Sequence, residues 1–234
     1  MRRALLTLLL LPLFPAAADA ATVKVVDCVP ALDPVARSAT FEARVKAARG
    51  SDRMQVRFTL QVRDEGISRR WRKVVAPGFD EWLTSASGVG RYSYSRTIQN
   101  LTAPASYRTV VRFRWLDADG EVLRSARVTS AACRQPDLRP DLAPLRVEAA
   151  PAADAGSWRY RVVIRNTGRS DAGPFDVTLG AAVETVDGLA AGEQRAVTFT
   201  GPECAADTPV IVDAGDLVDE RDEDDNVLVP VCHP

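Results

Sequence analysis

VDAGDLVDERDEDDNVLVPVC, Val212 to Cys232, decides the class of the second half of this chain. An apolar run ends, eight carboxylates crowd a short turn, and a second apolar run leaves at once. β-branched runs bracketing a turn of Asp, Gly and Asn read as strands. Upstream, WRYRVVIRN sets Trp158, Tyr160, Val162 and Ile164 on one face and Arg159, Arg161 and Arg165 on the other, and Asn166-Thr167-Gly168 makes the next turn. Period two over this length means half-buried antiparallel strands. AGPFDVTL and AVTFT, from Ala172 and Ala196, supply further strands, with Gly188-Leu189 and Gly192 between them.

The first half repeats the period. MQVRFTLQV alternates Val56, Phe58, Leu60 and Val62 with Gln55, Arg57, Thr59 and Gln61; SYRTVVRFRW alternates Tyr107, Thr109, Val111, Phe113 and Trp115 with Arg108, Arg112 and Arg114. TVKVVDC from Thr22, ATFEARVKA from Ala39, RRWRKVV from Arg69, RYSYSRTI from Arg91 and EVLRSARVTSA from Glu121 complete seven short strands separated by Gly, Pro, Asp and Ser clusters. That spacing predicts a sandwich. Between the halves, RQPDLRPDLAPL breaks the strand pattern with Pro136, Pro140 and Pro144. We read 136–144 as a proline-stiffened linker, 21–135 as one immunoglobulin- or fibronectin-like sandwich and 145–234 as another: an all-β chain of two tandem immunoglobulin-like domains.

Three motifs together, VVIRNTG at Val162 to Gly168, GLAAGE at Gly188 to Glu193 and the acidic turn, resemble CARDB, the cell-adhesion-related domain found in bacteria. In that pattern Asn-Thr-Gly is followed by a glycine and an aromatic, here Gly173 and Phe175, and later by Asp213, Glu220, Glu223 and Asn226; Asp225 stands where the family has a second asparagine. The resemblance implies an immunoglobulin-like, non-catalytic binding or spacing module, with Asn166, Gly168 and Asn226 as structural turn residues. LTAPASYRTVVRFRW followed by DADGEVLRS is similar to the last third of a fibronectin type III domain. Leu101 stands six residues before Tyr107, as in that family's tyrosine corner, and Asp119-Gly120 makes the hairpin turn; Pro104 is shifted, Ala105 replaces a threonine, and Phe41 lies near the place of a missing tryptophan.

The chain opens MRRALLTLLLLPLFPAAADAA, with Arg2 and Arg3 before an apolar stretch and Ala18-Asp19-Ala20 as a small-residue cleavage site. We read 1–20 as a signal peptide and the protein as exported, periplasmic or extracellular. Its apolar core is shorter than the roughly 20 residues a transmembrane helix needs, and no later segment approaches that length. Cys28, Cys133, Cys204 and Cys232 form an even set, which in an exported chain predicts disulfides. Of the three pairings, Cys28 with Cys133 and Cys204 with Cys232 each bracket one domain and close a long loop, worth about 3–5 kcal/mol apiece by loop entropy. Zinc fits worse: no two cysteines stand at ligand spacing, and the single histidine is His233.

Two constellations could carry chemistry. The acidic turn could hold calcium through Asp213, Asp216, Glu220 and Glu223, since calcium takes six to eight oxygens. The EF-hand order fails, because Gly215 and Val218 fall where ligands belong; the other reading is a solvated turn in which Asp213 and Asn226 cap backbone groups. SRRWRK sets Arg69, Arg70, Arg72 and Lys73 around Trp71, the local chemistry of a polyanion patch. If the flanking runs are neighbouring strands, Arg53, Arg57 and Arg63 share an outward face with Arg108, Arg112 and Arg114. The alternative is a solvated strand whose Trp71 packs inward.

Charge is divided unevenly. Residues 22–135 hold 20 Lys and Arg against 11 Asp and Glu, net +9, and residues 136–234 hold 8 against 19, net −11. Such polarity steers anions to the first domain and is screened beyond about 8 Å at physiological salt. Only Lys24, Lys46 and Lys73 are lysines, a bias towards arginine that reads as genomic before functional. A serine triad would need a placed histidine, and no nucleophile elbow or phosphate loop occurs. Asp80 and Glu81 beside Trp82 in GFDEW could line a sugar groove, but the stretch reads better as a turn whose Phe79 and Trp82 cover the sandwich end. The expectation is a non-enzymatic adhesion or ligand-binding protein, without a cofactor unless calcium, whose partner is a cell-envelope polymer or surface protein rather than nucleic acid. The rivals are an accessory carbohydrate-binding module, using Trp71 or Trp82 on neutral glycan, and a structural spacer.

Overall fold

The computed structural model describes residues 20–154, 156–203 and 208–229. Residues 1–19 of the stretch read as a signal peptide, together with Cys204, Cys232 and His233, lie outside them. Two compact units result: one from the residues up to Val29 with Ser38–Gln135, the other from Pro30–Arg37 with Pro136 onward.

In the first unit, β1 (Ala21–Val29), β2 (Ser38–Lys46) and β6 (Arg91–Gln99) form one antiparallel sheet in the order β1-β2-β6. The other is built on β3 (Arg53–Asp64) and β7 (Ala105–Leu116), paired over their full length, with β8 (Val122–Thr129) and β9 (Cys133–Gln135) on β7 and the two-residue pieces β4 (Arg72–Lys73) and β5 (Leu83–Thr84) on β3. Alternate residues turn inward, so Phe41, Met54, Phe58, Phe113 and Trp115 form one core with Phe79. Each large side chain so buried contributes roughly 1.5–3 kcal/mol. The Trp115 indole N–H donates to the Lys46 carbonyl at 2.7 Å, which satisfies its one polar atom in the core. Cys28 on β1 is bonded to Cys133 on β9, joining the two sheets as the cysteine spacing predicts. Buried Leu101 precedes a tyrosine corner in which the Tyr107 hydroxyl meets the Thr102 N–H at 3.0 Å and hydroxyl at 2.7 Å.

RRWRKVV was expected to form a whole strand and supplies only β4. The run lies at the sheet edge, and Pro77-Gly78, with Gly78 at φ +74°, turns the chain away before it rejoins β3 as β5. Phe79 is buried against Phe58, as GFDEW predicts. Trp82 does not cover the sandwich end and lies on the outer sheet face instead.

In the second unit, β10 (Leu142–Pro151), β11 (Trp158–Asn166) and β14 (Gln194–Gly201) face β13 (Ala182–Val186), β12 (Phe175–Leu179), β15 (Val210–Val212) and β16 (Val227–Leu228). Val162, Ile164, Phe199, Phe175, Val177, Val210 and Val212 meet in the core. The stretch read as linker is fastened to this sandwich from Arg139 on. Arg139 O, Pro140 O and Asp141 O accept the N–H groups of Arg169, Arg221 and Thr167, and Leu142, Ala143 and Pro144 are already strand. Pro144 is tolerated there because β10 is an edge strand and the register shifts beside it.

Candidate functional site

β3 and β7 pair with Arg57 opposite Arg112 and Gln61 opposite Arg108, and β8 adds Arg127 opposite Arg112. Because side chains alternate, these residues leave the outer face of the sheet while Phe58, Val111 and Phe113 fill the core. Arg57, Arg112 and Arg127 therefore form a transverse row on three adjacent strands. Like charges directly opposite destabilise a sheet, so the row runs against fold stability.

Two indoles lie among these cations. Trp71, just before β4, has the Arg63 guanidinium 5.0 Å and the Arg108 guanidinium 4.1 Å from its ring centre. Trp82, just before β5, has Arg57 at 6.0 Å and Arg114 at 4.1 Å. Both rings are half-buried by this stacking. A guanidinium laid on an indole gains cation–π attraction while its N–H edges stay free for an anion. The Arg108 Nε–H also donates to Gln61 Oε1 at 2.9 Å. Burial, with the nearby Arg63 and Arg127 charges, holds Arg108 below its ordinary value.

Few carboxylates answer this charge. Asp80 takes Lys73 at 2.9 Å and lies 3.7 Å from Arg57; Asp64 takes Arg72 at 3.0 Å; Glu65 takes Arg134 at 2.8 Å. Among the described residues Arg63, Arg108, Arg112, Arg114 and Arg127 have no ion-pair partner. The structure thus divides the SRRWRK constellation. Trp71 joins the sheet face, Arg72 and Lys73 are neutralised by neighbours, and Arg69 and Arg70 stand exposed on the preceding turn. Arg53 lies beyond the row and pairs with Asp52 at 3.6 Å. Arg127 was not singled out in the sequence, although the alternation of Ser125, Arg127 and Thr129 in β8 was its signal.

The acidic turn behaves differently. Asp213, at φ +49°, accepts the N–H groups of Leu217 at 3.1 Å and Val218 at 2.8 Å. Buried Glu220 accepts from the Leu142 N–H and, at 3.0 Å, from the Asn226 amide, and Glu223 accepts the Glu220 N–H at 2.9 Å. Burial pushes the Glu220 carboxyl up to about 7, helped by the Glu223 and Asp213 charges. Asp216 is exposed. The four carboxylates expected to converge on calcium are not brought together, and among the described residues no three acidic, histidine or cysteine side chains could hold one metal ion. Beside the turn, buried Asp141 binds Arg221 and Thr167.

Asn166 is the hub of that end. Its Oδ1 accepts from Asp141 N at 3.2 Å and Gly168 N at 3.0 Å, and its Nδ2 donates to Ser170 O at 2.8 Å and Leu189 O at 2.9 Å. At Gly168 a Cβ would come within 2.5 Å of the Arg139 and Pro140 backbone, so only glycine fits.

These two sandwiches define an all-β, immunoglobulin-like chain with a basic sheet face on one unit and an acidic turn on the other. Residues 135–230 match the CARDB family model, and the second sandwich is accordingly a CARDB domain. Among curated proteins we find no match. Solved structures similar to the chain include the class 5 fimbriae chaperone CfaA, at 10% identity over 92% of this chain and 99% of that one with a TM-score of 0.30. Red sea bream transglutaminase matches at 11% identity over 92% of this chain and 31% of its own, TM-score 0.30. The CsuC–CsuE chaperone and tip adhesion subunit complex of archaic Csu pili from Acinetobacter baumannii matches at 11% over 74% and 84%, TM-score 0.27. Scores this low leave the functional reading to the chain's own geometry. Among the described residues no helix is long and apolar enough to cross a membrane.

Proposed function

We propose that this is an exported, non-enzymatic adhesion or ligand-binding protein of the cell envelope, whose contact surface is the outer arginine and tryptophan face of the first sandwich and whose ligand is an anionic envelope polymer. One observation carries the reading: five guanidiniums, Arg63, Arg108, Arg112, Arg114 and Arg127, share one sheet face without an ion-pair partner among the described residues. The CARDB match supports an adhesion-related role, and the Cys28–Cys133 bond is consistent with an oxidising compartment. Neutral-glycan stacking is disfavoured because guanidiniums already lie on both indoles. A hydrolytic role for Asp80 is disfavoured as well. Partial burial pushes its carboxyl up, but hydrogen bonds from Lys73 and Thr59 and the Arg57 charge together hold it below its ordinary value, which suits an ion pair rather than a general acid.

The test is co-sedimentation of the oxidised protein with cell-envelope fractions at low and physiological salt, beside an Arg112→Ser, Arg114→Ser, Arg127→Ser variant. Salt-sensitive binding lost in the variant is expected. Binding indifferent to both changes would overturn the reading in favour of a neutral glycan or protein partner, and no binding at either salt would leave the spacer.

A further inference from the structure

The two indoles on the basic face are equivalent sites. Arg57 with Arg114, and Arg63 with Arg108, are the same diagonal pair across β3 and β7, repeated six residues along each strand. Each diagonal pair meets one tryptophan supplied by the broken edge strand, Trp82 before β5 and Trp71 before β4. At about 3.4 Å per residue the repeat places the two clusters about 20 Å apart. Between them the outer face shows Thr59, Arg112, Arg127 and Thr129 around Val110, which is buried, so it lacks the exposed apolar centre a protein partner would need. Arg112 and Arg127 continue the Arg57 row, so the Trp82 cluster has the larger share of cations.

Resting on the proposed function above, we infer that the face carries two anion clamps, Trp82 with Arg57 and Arg114 and Trp71 with Arg63 and Arg108, and that its ligand is a linear anionic polysaccharide long enough to engage both. In each clamp the indole lies against two like-charged guanidiniums, and of the four only Arg57 has a carboxylate nearby, Asp80 at 3.7 Å. An anion relieves the repulsion that remains, and little side-chain ordering is left to be done at that step. A chain shorter than the repeat occupies one clamp at a time, the more cationic Trp82 clamp in preference. A longer chain binds the second clamp as an intramolecular event, and two modest contacts become one strong one.

The probe is a set of end-labelled, heparin-derived oligosaccharides of graded length, titrated against the oxidised protein by fluorescence anisotropy at fixed salt. Affinity is expected to rise about 100-fold where extended length passes about 20 Å. Trp71→Ala is expected to abolish that rise and to weaken short-chain binding less than Trp82→Ala, which weakens both. Arg108→Gln and Arg114→Gln, which keep the indoles, are expected to give the same two patterns if either tryptophan variant fails to fold. Affinity that climbs smoothly with charge number, in wild type and in all four variants alike, would overturn the two-clamp inference and leave anionic binding standing. No binding at any length would overturn both.

Discussion

The first sandwich carries its excess charge on a flat sheet face, and the second carries its own in a turn. On the sheet face, Arg63, Arg112, Arg114 and Arg127 have no ion-pair partner among the described residues, and Arg63 and Arg114 lie against the two indoles. In the turn, Asp213, Glu220 and Glu223 accept hydrogen bonds from the chain itself, chiefly from backbone N–H groups. Charge density alone therefore says little about a site. Charges already satisfied from within hold the fold, and charges left without partners are available to a ligand.

The largest expected effect breaks the acidic side. Asn166→Ala removes four hydrogen bonds inside the second sandwich and is expected to cost about 3–4 kcal/mol in urea denaturation. Polyanion binding by the first sandwich should persist at temperatures where the variant is folded. The basic side is expected to respond in the opposite way. Replacing Arg112, Arg114 and Arg127 by Ser should lower affinity for long heparin-derived chains at least about tenfold, or 1.4 kcal/mol. Its melting temperature in differential scanning fluorimetry should stay level or rise, because opposed like charges are removed.

A third, smaller effect sharpens the comparison through pH. Glu220 is raised from an ordinary 4.5 to about 7, so between those values the folded chain binds a proton that the unfolded chain does not. Stability from this group is fully present below pH 4.5, falls as pH rises, and levels off above about 7. Urea midpoints taken at pH 5 and pH 8 should show this fall in wild type and not in Glu220→Gln; equal slopes in the two proteins would remove Glu220 as the cause. Asp137 acts with the opposite sign. Its hydrogen bond from Arg139 holds it below its ordinary value, and its stabilisation is lost only in more acid solution. The smallest expected effect is that of calcium: millimolar addition should leave the melting temperature where chelator leaves it, because Asp213, Glu220 and Glu223 already accept backbone N–H groups and Asp216 is exposed apart from them.

Period two was enough to place the long strands, since alternation fixes both their extent and their inward face. It was not enough for β4 and β5, whose two residues each are too few to alternate, nor for the start of β10, where Pro144 resembles a linker residue and is admitted by an edge strand beside a register shift. At the site, the outward arginines of β3 and β7 were legible, but the row through Arg57, Arg112 and Arg127 was not. Register depends on turn geometry and two-sided packing, which period alone does not contain. Trp71 illustrates the same point. Its neighbours in sequence suggested a cluster with Arg69, Arg70, Arg72 and Lys73, whereas the guanidiniums that reach it come from β3 and β7.

The transverse arginine row also governs how copies of the protein meet. Two such faces cannot be laid against each other, because each guanidinium would confront another of its own sign at close range in a region poor in counter-charge. Broad, flat sheet surfaces ordinarily invite self-stacking; this one repels its own copy and accepts only a surface of the opposite charge.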